Sequence, residues 1–509
     1  MRAELILAGG RIRTLGPSGL STVTHLAIAG GRAVAAGGAG VMGLRGPRTR
    51  VVRLHGASVL PGFNDAHAHV VYYGLTRFGA DLGGARSVAE IVQRLRAHAW
   101  TLGRAEWQQG LGFRSSELAE QRPPHRLELD EATGSRPAFI DERGGHLRVA
   151  NSAALGAAGI TAATPDPPGG ALGRDADGTP NGLLLEAAMR LVADVQPPPS
   201  RDRRRAGIEK AQRLLVSRGI TSVGAAVNRG FADDLLCYQE LADSRRLKVR
   251  VNEFLSWELL EAATEVGVQT GFGGRLVRAG PIKVFVDGGA DRVVMRDSGL
   301  GVWRTPPEEL RHLVAVATRA GLQVAAHAIG DGAIEAMCDA VEAAGRRGLR
   351  HRVEHCTVCP PDLRRRLARL GMVAVMQPLV LRAARDASGL FAVKDRHDFA
   401  AHASLLRAGV PVAFSSDLPV TTDPNPWPAM RLAVEDPVHG IDVLAALLAY
   451  TAGGAYASFE EDAKGTLQVG MLADLQVYDE DPISMSRDRW DRLRPRAVLL
   501  GGAVVHGNL

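Results

Sequence analysis

Residues 58–69 read SVLPGFNDAHAH, an apolar run that breaks into Asn64, Asp65, Ala66, His67, Ala68 and His69. Side chains alternate along an extended chain, so His67 and His69 fall on one side, where two imidazoles can share one cation. A lone histidine after an apolar run is more often a hydrogen-bonded core residue. The pair counts as a site only if other polar groups join it.

Further runs of the same kind extend outward from the first, 58–63: 220–224 (ITSVG), 248–255 (KVRVNEFL), 281–286 (PIKVFV), 322–326 (LQVAA), 351–354 (HRVE), 372–376 (MVAVM) and 410–414 (VPVAF). Several are apolar at nearly every position, as parallel strands buried on both faces are. Amphipathic stretches such as 306–320 and 362–370 supply crossover helices. Eight such units predict an α/β fold, a (β/α)8 TIM barrel. The barrel is expected over 58–464, with an insertion at about 75–205 lying over its mouth. Short glycine-separated strands at 3–8, 24–29 and 51–54 are matched by others at 473–478 and 497–505. Residues 1–57 and 465–509 are therefore expected to form one small β-sandwich domain built from both termini.

In such a barrel, chemistry sits where strands end. The fourth run carries Lys283 and ends at Asp287; the fifth ends in His327, the sixth in Glu354 and His355, the eighth in Ser415, Ser416 and Asp417. Each has a bland explanation alone, a strand-end aspartate being often only a helix cap. Together, six polar groups would share one cup, where buried charge must be paired or metal-bound.

The segment Pro61 to His69 resembles the HxH signature of the amidohydrolase superfamily, and the order HxH, Lys, His, His, Asp on strands one, four, five, six and eight is similar to its metal frame. Within it the chain resembles the YtcJ-like, or amidohydrolase 3, branch, through Asn151 to Leu155, Lys283 to Gly288, His327 to Asp331, Arg352 to His355, Met376 to Pro378, Ser416 to Val420 and Lys464 to Leu475. The resemblance runs essentially end to end. It implies a metal-dependent hydrolase of non-peptide C–N bonds, such as those of an N-acyl or N-formyl amine. Its implied ligands are His67, His69, Lys283, His327, His355 and Asp417, with Asp417 also the catalytic base. A deaminase of the same superfamily and a non-catalytic binding barrel are the alternatives.

The implied cofactor is a divalent metal, zinc first, as one or two ions per chain. Lysine is the unusual basic residue here, with five among 61 lysines and arginines. The resemblance implies that Lys283 takes up carbon dioxide as a bridging carbamate, which arginine, effectively never deprotonated, cannot do; this favours a metal role for Lys283 over an ion pair with Asp287. Asp65, Glu354 and Asp331 are expected to orient ligands. Arg114, Arg143, His146 and Gln377 are the expected substrate contacts, although Arg114 reads equally well as a surface arginine. The chain departs from the branch at Gly112 to Glu117, Gly144 to His146 and Gly224 to Ala226, so no relative's substrate transfers directly. Cys356 and Cys359 form a CxxC without a second pair and read as small core residues.

With 46% hydrophobic and 23% charged residues, the 509-residue chain has ordinary globular composition. Its basic residues, formal net charge +6, are scattered, and the run Arg201, Arg203, Arg204 and Arg205 reads as a solvated helix face. No nucleic-acid partner is expected, nor a membrane, since no apolar run reaches about 18 residues. Without a signal-like N-terminus or a disulfide framework, the expectation is a cytoplasmic protein that binds a small-molecule substrate, with homo-oligomerisation allowed.

Overall fold

The structure, a computed structural model, describes residues 2–16, 19–103, 106–227, 232–289, 292–297, 301–380 and 396–509. Its centre is a sheet of eight parallel strands: β1 (Phe63–Ala68), β2 (Ile220–Ala225), β3 (Arg250–Ser256), β4 (Val277–Phe285), β5 (Val324–Ala328), β6 (Arg352–His355), β7 (Val373–Met376) and β8 (Val412–Phe414), each paired with the next in that order. All but β4 are buried at every position, which accounts for their unbroken apolar reading. β8 and β1 share no ladder, yet the chain after β8 closes onto β1. Asp417 N–H donates to His67 O at 2.9 Å, and His69 N–H to Leu418 O at 2.8 Å. The sheet is thus a nearly closed barrel.

The crossover helix at Pro307–Arg319 starts with proline in its first turn and buries Leu310, Leu313, Val314 and Ala317, the spacing that one helical face requires. Helices Asp331–Ala344 and Pro361–Leu370 follow β5 and β6 and end on the left-handed glycines Gly345 and Gly371. They join the barrel strands in one continuous apolar core.

The first run of the sequence proves to be two strands. Ser58–Pro61 pairs with Leu5–Arg13 and Leu475–Tyr478 in an outer sheet, and the barrel strand begins only at Phe63. A side chain at Gly62 would meet Thr221 Oγ1 at 2.1 Å, so the chain can pass between the layers there only as glycine. The outer sheet contains eight strands drawn from both ends of the chain, from Leu5–Arg13 to Ala503–Gly507. It is tied to the barrel through Arg250 on β3, whose guanidinium grips Asp474 with two bonds of 2.6 and 2.8 Å, both side chains being buried. Losing one partner of such a pair costs about 3–5 kcal/mol.

Between β1 and β2 lies a third, six-stranded sheet with Ala80–Asp81 at one edge and Gly170–Arg174, next to Pro180–Glu186, at the other, and with apolar clusters of its own. Its far end reaches the barrel mouth, where His146 and Glu186 meet the loop after β4. No described helix is long and apolar enough to cross a membrane.

Candidate metal centre

Three side chains converge where β1 and β8 meet. His67, at the end of β1, His69, one residue beyond it, and Asp417, three beyond β8, each offer a ligand atom within 4.8 Å of the others. Asp417 Oδ1 lies 3.6 Å from His67 Nε2 and 3.3 Å from His69 Nε2. His355, the last residue of β6, brings Nδ1 to 3.9 Å from Asp417 Oδ2, and its ring centroid lies 4.5 Å from that of His327 on β5. Lys283 on β4 is buried beneath, its ammonium facing Glu354 and Asp417.

The other nitrogen of each imidazole fixes its tautomer. His67 Nδ1 lies 2.5 Å from Glu354 Oε2, and a carboxylate held ionised by arginine only accepts, so the proton sits on Nδ1. His69 Nδ1 donates to Ala226 O at 3.0 Å and His355 Nδ1 to Gln377 Oε1 at 2.9 Å. All three Nε2 atoms therefore present bare lone pairs. Burial, with Lys283 adding to it, holds His67 down to about 3, so its ring stays neutral. Burial also lowers His355 and, more strongly, His327.

At His67 and His69 the Nε2 lone pairs thus face the Asp417 carboxylate with no proton between them. His67 Nε2 and Asp417 Oδ1 are buried without a hydrogen-bond partner among the described residues, and so is Lys283 Nζ. Unpartnered buried polar atoms are costly. Here acceptors of the imidazole and carboxylate type surround one space, the donor set that suits a divalent transition metal. The residues present fit such an ion.

The surroundings stiffen this arrangement. Arg352, also buried, grips Glu354 at 2.7 and 3.0 Å and donates to Ala66 O at 2.8 Å, binding β6 to β1 behind His67. Asp65 accepts Ser416 N–H at 2.8 Å and Ser416 Oγ–H at 2.5 Å, which fixes the turn that carries Asp417. His355 (φ 73°) and Asp417 (φ 54°) both lie in the left-handed region, a strain of about 1–3 kcal/mol each that only a well-supported site retains. Burial lowers the Lys283 ammonium to about 8, against the pull of Glu354 and Asp417.

The remaining expected residues are spread more widely. Gln377 is buried behind His355 and spends its amide on His355 and Ser415 Oγ, the latter at 2.9 Å. His146 stands opposite, 6.1 Å between its ring and that of His327, with Nδ1 3.0 Å from Glu186 Oε2. Arg114 and Arg143 follow the paired strands Gln108–Phe113 and Ala138–Glu142 of the inserted sheet, and among the described residues neither makes a hydrogen bond or ion pair with His67, His69, Lys283, His327, His355 or Asp417. Arg114 Nε lies 3.9 Å from Glu117. Asp331, expected to orient a ligand, instead accepts Arg296 N–H at 2.9 Å and starts a helix. Lys283 makes no ion pair with Asp287, whose carboxylate accepts backbone N–H groups of Val294, Ile329 and Gly330. Cys356 and Cys359 are buried in the main core. Two further residues near His146 and His327 carry no local signal: Glu186, which ends an ordinary alternating strand, and Arg304, one arginine among many, whose guanidinium carbon lies 4.3 Å from the centroid of the Phe285 ring.

Residues 50–506 match the model of the Amidohydrolase family, Amidohydro_3. The protein LONG AFTER FAR-RED 3 of Arabidopsis thaliana is 30% identical, the match covering 96% of this chain and 88% of that one. An N-substituted formamide deformylase of Arthrobacter pascens is 28% identical over 98% of both chains. Among solved structures, an uncharacterized metal-dependent hydrolase from Pyrococcus furiosus superposes with a TM-score of 0.76 at 28% identity, covering 94% of this chain and 100% of that one.

Proposed function

The chain belongs to the Amidohydrolase family of metal-dependent hydrolases acting on C–N bonds, and from that premise we propose that it cleaves the amide of a small N-acyl or N-formyl amine. The observation that carries this reading is the apposition of bare imidazole and carboxylate lone pairs around one buried space. Similarity over nearly the whole length to a protein named for deformylating N-substituted formamides supports the choice of amide.

His67, His69, His327, His355 and Asp417, with Lys283 as a carbamate, would hold one or two divalent ions. Zinc suits the donor set best. Such an ion supplies Lewis acidity, lowering the pKa of water to about 7 and drawing electron density from a carbonyl. The chain's own residues do the rest. Asp417 takes the proton of the attacking water and delivers it to the leaving nitrogen, so that amine and carboxylate depart separately. Glu354, Ala226 O and Gln377 keep His67, His69 and His355 in the tautomers that expose Nε2. His146, held by Glu186, lines the substrate side beside His327, with Arg114 and Arg143 beyond it. We also take the outer sheet of the two termini as a β-sandwich domain, its two separate apolar clusters supporting that reading.

Purified protein stripped by chelator and reloaded with zinc or manganese is offered N-formyl amines, N-acyl amines and aminopurines. The expected result is metal-dependent release of carboxylate and amine in equal amounts. Ammonia without carboxylate would instead make the chain a deaminase, and ligand binding by metal-free protein without turnover would make it a binding barrel.

A further inference from the structure

Arg304 lies in the segment after β4, with its guanidinium carbon 4.3 Å from the centroid of the Phe285 ring. The same ring is 5.5 Å from that of His327 and 4.7 Å from Lys283 Nζ. One aromatic side chain therefore separates Arg304 from two of the groups at the metal centre. The charged groups that face it are Glu186, Arg190 and Asp287. Both carboxylates are engaged elsewhere. Glu186 holds His146 Nδ1 at 3.0 Å and receives Gly289 N–H, and Asp287 accepts three backbone N–H groups. Among the described residues, Arg304 makes no ion pair with either.

A partly buried guanidinium without a carboxylate partner is expensive to maintain. Its stacking on Phe285 orients the planar fork while leaving its edge donors unspent. That is the shape that binds a carboxylate through two parallel hydrogen bonds. Arg114 and Arg143 follow adjacent strands of the same inserted sheet whose strand Pro180–Glu186 carries Glu186. Each has an Nε buried without a hydrogen-bond partner among the described residues, that of Arg114 lying 3.9 Å from Glu117.

We propose that Arg304 receives a carboxylate of the substrate, so that the preferred substrate is an anionic N-acyl amine of the N-acyl amino acid type and not a neutral amide. This rests on the C–N hydrolysis proposed above and adds the substituent that is selected. Arg304 acts on specificity: it binds the distal anion and takes no part in proton transfer. Among the described residues the side chain makes no hydrogen bond, so Arg304→Ala should leave a folded protein.

The test compares N-formylglycine with N-ethylformamide, which differ by the carboxylate, on metal-loaded wild type, Arg304→Ala and Arg304→Lys. Wild type should favour N-formylglycine, and Arg304→Ala should lower the ratio of the two kcat/KM values about 30–100-fold, mostly through KM. Arg304→Lys, a point charge without the fork, should recover only part of it. The proposal is overturned if wild type turns over both amides equally, if Arg304→Ala reduces both alike, or if Arg114→Ala or Arg143→Ala carries the discrimination instead. Calorimetric binding of N-formylglycine gives a second readout. If neither amide is hydrolysed, the C–N reading fails by itself; binding that is lost in Arg304→Ala still supports the anion site, and equal binding by both proteins removes it.

Discussion

Glu354 Oε2 lies 2.5 Å from His67 Nδ1, and the same carboxylate is gripped from behind by Arg352. Burial opposes ionisation of Glu354, but Arg352 and then His67 outweigh it and hold the carboxyl well below its ordinary range. The anion in turn keeps the His67 proton on Nδ1 and Nε2 bare. Glu354→Gln should therefore weaken metal affinity about 10–100-fold, since the amide can present its NH2 to the ring and favour the wrong tautomer. Chelator competition measures this directly. Unchanged affinity would show that Glu354 merely neutralises Arg352.

Asp417→Asn keeps the size of the side chain but removes both its charge and its basicity. At metal concentrations that saturate the variant, kcat should fall about 10²–10⁴-fold with little change in KM. If kcat recovers fully once metal is saturating, Asp417 serves only as a ligand and the base lies elsewhere.

Lys283 provides a test of metal number. A carbamate forms only from the neutral amine, and burial, by lowering the ammonium to about 8, makes that form accessible near neutrality. Wild type reconstituted with isotopically labelled bicarbonate should show a carbamate resonance and bind two ions per chain. Lys283→Met should show no resonance and lose at least one ion. Two tightly bound ions in Lys283→Met would rule out the bridge.

The strand ends were legible in the sequence because an apolar run that stops at His, Glu or Asp leaves few reasons for those residues. Lysine's rarity made Lys283 conspicuous for the same kind of reason. Strand limits were less legible where layers meet. Ser58–Pro61 and Phe63–Ala68 are both fully buried, so hydrophobicity alone does not tell that they belong to different sheets. Glu186 and Arg304 could not be read at all. They reach the mouth by tertiary placement, from an inserted strand of alternating burial and from a loop, and neither carries a local pattern that marks it.

At the opposite end of β6, His351 is buried with Nδ1 accepting Val324 N–H at 3.0 Å and Nε2 3.2 Å from Thr318 Oγ1. An imidazole that accepts a backbone N–H must be neutral at that nitrogen, and burial lowers His351 from 6.5 to about 4. Because the folded value lies below the unfolded one, this contribution is complete above pH 6.5 and is lost as pH falls toward 4. The loss amounts to roughly 3 kcal/mol. In urea unfolding, wild type should exceed His351→Gln in stability at pH 7, and the gap should shrink at pH 4.5. A gap independent of pH would assign His351 a packing role alone.

Gly289 stands against His146 closely enough that a Cβ there would lie 2.2 Å from Nε2 of the ring. No side chain fits unless His146 moves. The ring is partly exposed and can swing outward, which breaks its contact with Glu186 and withdraws it from His327. Gly289→Ala should thus cost less than about 1 kcal/mol of stability, since the ring yields and the backbone does not. It should nevertheless raise KM about tenfold, if His146 touches the substrate. The double variant Gly289→Ala with His146→Ala separates the two effects: removing the obstructing ring should abolish any further effect of the added methyl, leaving KM at the value of His146→Ala alone. Additive losses in the double variant would mean that Gly289 acts on the site through some route other than this histidine.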